Sequence, residues 1–210
     1  MNIDQPVIIG IAIILSYFIG SFPTAYLMGR ISKNVDIREV GSRNMGAMNT
    51  FYSIGFWRGM IVLLIDIGKG ALAPSVAYWL GLDLPYQLAS GVVVLLGHNF
   101  PVWLKFHGGK GGAPCIGVLI RLIYWGAPFY LATFLLLFFI TKAPTISYGI
   151  AFLIFPLIAW FFHNSVVLVI YSVAILIIPA LMYIPRLREM RRKGGSWAHV
   201  IKRKSVKDRF

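Results

Sequence analysis

The chain has 210 residues, 58% of them hydrophobic, with a mean hydropathy of +0.76, which excludes a soluble globular domain and points to an integral membrane protein. Its formal net charge of +13 comes from 20 Lys and Arg against 7 Asp and Glu, yet no aromatic-laced basic motif accompanies it, so nucleic acid is not an expected partner. Cys115 is the single cysteine, which excludes an internal disulfide and a Cys-cluster metal site; no metal and no cofactor is expected.

The first apolar run, residues 6–28, is long enough to cross a hydrocarbon core of about 30 Å. No Lys or Arg precedes it, so a retained helix is expected rather than a secretory signal. Residues 29–52 then form a polar loop whose Arg30, Lys33, Arg38 and Arg43 place it in the cytoplasm by the positive-inside rule. Apolar runs 57–80 and 86–104 cross out and back, returning the basic loop 105–112 to the same side.

Residues 113–184 are almost continuously apolar. About 70 residues at about 1.5 Å rise each fit four short spans better than two, with breaks at 124–128, 141–144 and 163–165. The expectation is an all-α integral membrane protein of about seven transmembrane helices, N-terminus outside and C-terminus cytoplasmic. Arg121, on a short span near residues 114–123, must face the protein interior or snorkel outward. Two parts follow: a polytopic domain over 1–185, and a basic cytoplasmic tail over 186–210. The tail carries Arg186, Arg188, Arg191, Arg192, Lys193, Lys202, Arg203, Lys204, Lys207 and Arg209, and anionic lipid headgroups would hold it.

Within this frame the segment Gly108-Gly109-Lys110-Gly111-Gly112 stands out. Glycines on both sides of a lysine let backbone N–H groups converge on one point while the ammonium adds a full charge, which suits a phosphate. A helix starting near Pro114 would aim its N-terminal dipole at the same anion. A nucleotide P-loop is excluded, since Leu104 stands where Gly is needed and Gly111 where Ser or Thr is needed.

A second polar cluster, residues 41–49, offers Ser42, Arg43, Asn44 and Asn49, which supply hydroxyl, guanidinium and amide groups for a polar substrate. Asp66 and Lys69 sit at i and i+3 in an apolar run, where they neutralise each other on an inward face as a structural pair or an orienter of the site. His98, at the cytoplasmic end of the third run, is either a general base or a helix-terminal hydrogen-bonding residue and joins the substrate-binding set. Trp57, Trp79, Trp103 and Trp125 fall near helix ends as interfacial anchors.

Residues 20–27 (Gly-Ser-Phe-Pro-Thr-Ala-Tyr-Leu), Asp36-Ile37-Arg38, Gly41-Ser42 with Asn44, Gly46-Ala47 and Asn49, Asp66 with Lys69-Gly70, and Gly97-His98 through Gly111 occur in one order. Together they resemble the bacterial acyl-phosphate:glycerol-3-phosphate acyltransferase family, over roughly the first half of the chain in motifs and beyond it in hydrophobic pattern. The resemblance implies a seven-helix enzyme of the bacterial inner membrane that moves an acyl group from acyl phosphate to the 1-hydroxyl of glycerol 3-phosphate. The product is lysophosphatidic acid, which opens phospholipid synthesis. It also implies that Gly108, Gly109, Lys110 and Gly111, with Gly112 beside them, hold substrate phosphate, and that Ser42, Asn44 and Asn49 arrange the acceptor. Lys110, Ser42 and Asn44 are the expected catalytic residues.

The chain departs from the family pattern at Arg43, Met48, Tyr52, His107 and residues 112–114, and residues 183–189 hold no counterpart of the family's third motif. Arg43 is placed to supply a cation in place of the basic residues that Tyr52 and His107 replace. A divergent paralogue with another acceptor, or a non-catalytic membrane protein that binds lipid or acyl phosphate, are the alternative readings.

Overall fold

A computed structural model describes residues 4–195, and its regular structure there is helical. The expected tail residues Lys202, Arg203, Lys204, Lys207 and Arg209 lie outside the described residues. Two compact units are present, one ending at Leu122 and one beginning at Ile123.

In the first unit, α1 (Gln5–Ser21) starts on Pro6 and stops ahead of Pro23, whose missing N–H and ring cannot continue the ladder. The chain restarts at once as α2 (Thr24–Lys33), which Asn34 ends in the left-handed conformation at φ 53°. The first apolar run is therefore a broken helix that extends past Met28, and Arg30 and Lys33 ride on it rather than on a loop. Then come α3 (Ala47–Ser53), α4 (Phe56–Trp79), α5 (Leu84–Asn99), a single 3-10 turn at Val102–Leu104, and α6 (Gly112–Leu122).

Glycines set how closely these helices pack. Gly20 lies against the Val94 carbonyl and Gly97 against that of Tyr17, joining α1 to α5; Gly70 lies against the Pro114 carbonyl and Gly117 against that of Ile67, joining α4 to α6. At each of these positions a Cβ would collide with backbone, so the close approach requires glycine. Arg121 is held at the far end of the α4–α6 pair. Its Nε donates to Ser75 Oγ at 2.9 Å and its guanidinium lies 5.0 Å from the centre of the Tyr78 ring, which answers the need for an interior partner.

The second unit contains α7 (Gly126–Thr141), α8 (Pro144–Ala151), α9 (Ile154–His163), α10 (Val166–Ala174) and α11 (Ile177–Gly194). Its interior is aromatic: Tyr130 packs on Phe152 and Phe155 with ring centres 5.4 Å apart in both pairs. The expected breaks at 124–128, 141–144 and 163–165 coincide with helix ends. Helix α11 continues through Pro185, so the first residues of the expected tail are helical, with Arg186 bonded to Glu189 at 2.6 Å.

Five segments among the described residues are long and apolar enough to cross a membrane: Gln5–Lys33, Phe56–Trp79, Leu84–Leu104, Pro144–His163 and Val166–Glu189. Two shorter apolar helices, Gly112–Leu122 and Gly126–Thr141, accompany them. Leu64, Leu136 and Phe161 are 61%, 62% and 74% exposed, a surface that suits lipid tails and not water. The chain is a multi-pass membrane protein.

Candidate active site

The break between α1 and α2 has a buried partner. Proline at 23 interrupts the helix and leaves the Phe22 carbonyl turned inward, where Lys69 Nζ donates to it at 3.1 Å. The same ammonium lies 2.8 Å from Asp66 Oδ1, and Thr24, the first residue of α2, donates its hydroxyl to that oxygen at 3.1 Å. Asp66 and Lys69 thus neutralise each other and tie α4 to the broken helix. His98 Nδ1 stands 3.9 Å from Asp66 Oδ1, too far for a hydrogen bond.

The glycine–lysine loop is laid onto the C-terminal end of α5. A helix end leaves its last carbonyls unpaired. Here Gly109 N–H donates to the His98 carbonyl at 3.1 Å and Gly108 N–H to that of Asn99 at 3.0 Å. The chain reaches this position by doubling back through Lys105 and Phe106, at φ 52° and 60°. Gly111, at φ 80°, then caps α6 and accepts from Cys115 N–H at 2.9 Å. Half-buried Lys110 therefore directly precedes a helix N-terminus, where first-turn N–H groups lack intrahelical partners and favour an anion.

Asn49 shapes the first polar cluster. Its Nδ2 donates to the carbonyls of Ile37, Val40 and Asn44 at 2.9, 3.0 and 3.0 Å, and its Oδ1 accepts from Ser42 N–H at 2.9 Å and Ser53 Oγ at 3.3 Å. Those contacts take up the whole amide. Arg38 closes the far side of the same loop with two bonds of Nε and Nη2 to the Asp36 carboxylate, the shorter at 2.7 Å. That guanidinium holds the Asp36 carboxyl below the ordinary carboxylate range.

The two loops meet at Gly109. A Cβ there would strike both the His98 imidazole and the Met45 carbonyl. Met45 in turn belongs to an apolar cluster with Ile37, Ala47 and Leu104, which fastens the first loop to the 3-10 turn ahead of the second.

Comparison with known proteins shows the family of the chain. The family model described as glycerol-3-phosphate acyltransferase matches residues 10–192. The chain belongs to that family. Glycerol-3-phosphate acyltransferase 2 of Dehalococcoides mccartyi (strain ATCC BAA-2266 / KCTC 15142 / 195) is 52% identical over 202 residues, which is 95% of this chain and 96% of that protein. The glycerol-3-phosphate acyltransferase of Bacillus subtilis (strain 168) is 43% identical over 133 residues, covering 63% of this chain and 66% of its own. Among solved structures, the chain is similar to PlsY (YgiH), an integral membrane glycerol 3-phosphate acyltransferase in its glycerol 3-phosphate form. The TM-score is 0.79 at 26% identity, over 89% of this chain and 92% of that one.

In this glycerol-3-phosphate acyltransferase fold, the expected residues fall into two sets. Gly108, Gly109, Lys110, Gly111 and Gly112 form one continuous strip from the end of α5 to the start of α6, with His98 beneath Gly109. Ser42 and Asn44 are half-buried on the Asn49-braced loop, while Arg43 is exposed and left-handed at φ 57°. Asn49, expected in the substrate-binding set, has its amide hydrogen-bonded to the backbone around it. Sequence reasoning did not pair Thr24 and the Phe22 carbonyl with the Asp66–Lys69 ion pair, nor place Asn99 against Gly111. Proline at 23 inside an apolar run was the available signal for the first two.

Proposed function

We propose that the protein transfers an acyl group from acyl phosphate to the 1-hydroxyl of glycerol 3-phosphate, giving lysophosphatidic acid. The observation that carries this reading is the strip of four glycines around Lys110, docked on the end of α5 and leading into the N-terminus of α6. Gly108 and Gly109 spend their N–H groups on the end of α5, so the Lys110 ammonium and the first-turn N–H groups of α6 are the groups that would hold a phosphate.

The acyl phosphate is already activated, so the chemistry needs neither an acyl-enzyme nor a metal. The acceptor hydroxyl oxygen bonds to the acyl carbon, the carbon–oxygen bond to phosphate breaks, and the departing phosphate takes the hydroxyl proton. Lys110 and the first-turn N–H groups of α6 hold substrate phosphate and stabilise its charge, and Ser42 and Asn44 orient the acceptor, with Arg43 adding a cation at the loop surface. Asn49 keeps Ser42 and Asn44 in place, and the Asp66–Lys69 pair keeps α4 and the broken helix in register beneath His98.

The site lies on the cytoplasmic side of a bacterial inner membrane, in a seven-span domain over 1–185 whose N-terminus is outside. The tail over 186–210 rests on anionic lipid. The five long apolar segments and two shorter apolar helices support that count. Lys142 and His163 flank the Pro144–His163 segment, so labelling reagents restricted to opposite sides of the membrane should each reach only one of these positions.

The activity is tested by supplying acyl phosphate to the purified protein in detergent and following phosphate release with and without glycerol 3-phosphate. Acceptor-dependent release is expected. Release without acceptor would be hydrolysis, with water taking the acyl group, and would point to an altered acceptor site; binding without release would point to a non-catalytic role.

A further inference from the structure

Two asparagines in the first unit are equally buried, Asn49 at 2% exposure and Asn99 at 1%, and they differ completely in what their amides do. Asn49 makes five hydrogen bonds within its own loop. Neither Oδ1 nor Nδ2 of Asn99 has a hydrogen-bond partner among the described residues. An amide buried in that way opposes folding, so its presence calls for a reason other than stability.

Its place suggests one. Asn99 is the last residue of α5, and its backbone carbonyl is already taken by Gly108 N–H. The amide lies directly against Gly111, the cap of α6, close enough that a Cβ on Gly111 would stand 2.9 Å from Oδ1. It sits, in other words, against the strip that carries Lys110 and ends in a helix N-terminus. Contact with a ligand needs only a small shift of this strip, which its glycines permit.

An amide demands both an acceptor for its N–H groups and a donor for its oxygen. An acyl phosphate offers acceptors only. A phosphorylated polyol offers phosphoryl oxygens and a hydroxyl group side by side. We propose that Asn99 is a substrate-binding residue for the acceptor: its Nδ2 donates to a phosphoryl oxygen of the bound glycerol phosphate, and its Oδ1 accepts from a neighbouring hydroxyl. This rests on the acyltransferase reading, and it adds a contact outside the residues assigned above.

The test uses full-length protein in detergent and compares wild type with Asn99→Leu and Asn99→Asp. Wild-type release of phosphate that depends on glycerol 3-phosphate establishes the underlying reading separately, and its absence would remove that reading rather than this one alone. Given wild-type activity, Asn99→Leu should raise the KM for glycerol 3-phosphate by about tenfold or more and leave the KM for acyl phosphate within about twofold. Its thermal midpoint should be equal to or above wild type, because an unpaired buried amide has been removed. Asn99→Asp, which replaces the donor with a negative charge facing a phosphate, should weaken the acceptor more than Asn99→Leu does. The proposal is overturned if both acceptor constants stay at the wild-type value. It is also overturned if the acyl phosphate KM alone rises, or if Asn99→Leu lowers the midpoint, which would reveal a structural partner.

Discussion

Gly109 lies against the His98 imidazole with no room for a side chain between them. The contact joins the loop that carries Lys110 to the helix whose end that loop covers, with the Met45 carbonyl of the first loop on the remaining side. Three segments far apart in sequence therefore share one glycine. Replacing it with alanine should displace the strip by a fraction of an ångström to an ångström. The expected outcome for Gly109→Ala is a loss of about 100-fold in kcat/KM, measured by acceptor-dependent phosphate release.

The Asp66–Lys69 pair should behave as a buried ion pair, since both residues are nearly inaccessible, at 1% and 7% exposure. Removing either charge alone strands the other. Asp66→Asn and Lys69→Met should each destabilise the protein by about 3–5 kcal/mol, and the double variant by less than the sum. Thermal unfolding of the four proteins in one detergent checks this.

Asn49→Ala removes the amide that bridges Ile37, Val40, Asn44 and Ser42. It should cost about 2 kcal/mol or more, because several buried backbone groups lose their partner together. If Ser42 and Asn44 orient the acceptor, the KM for glycerol 3-phosphate rises while that for acyl phosphate changes little. Steady-state kinetics with each substrate varied in turn gives both values.

Asp36 predicts a pH dependence. Its hydrogen bond from Arg38 lowers the folded-state pKa below the ordinary value near 4, so the unfolded chain takes up the proton first as pH falls. The stabilisation is complete above that ordinary value and disappears as pH drops through the lower folded value. Asp36→Asn should therefore unfold at a lower temperature than wild type at neutral pH, and the gap should narrow as pH falls below the ordinary carboxylate range. Melting curves at a series of pH values measure the gap.

Much of this architecture was legible from residue patterns. Asp66 and Lys69 in an apolar run had to face inward, and the glycines around Lys110 announced a backbone that turns sharply. Helix ends near residues 124, 142 and 164 followed from polar residues and prolines in a stretch that is otherwise almost continuously apolar. The break at Pro23 was harder, because a proline in an apolar run is tolerated inside a span when neighbouring groups pair the freed carbonyl, and Lys69, the group that does so, lies on another helix. The hydrogen bonds of Asn49 were hidden for a similar reason. A polar residue in a glycine-rich cluster suits either a substrate or the loop itself, and the positions of the Ile37, Val40 and Asn44 carbonyls around its amide come only with the fold.

In the proposed mechanism Lys110 and the N-terminus of α6 hold the phosphate on which acyl transfer depends. Formation of lysophosphatidic acid from acyl phosphate and glycerol 3-phosphate, compared between wild type and Lys110→Ala at matched folded concentration, tests it most directly. A fall of about 100-fold or more in kcat/KM is the expected result. Wild-type turnover by Lys110→Ala would contradict it.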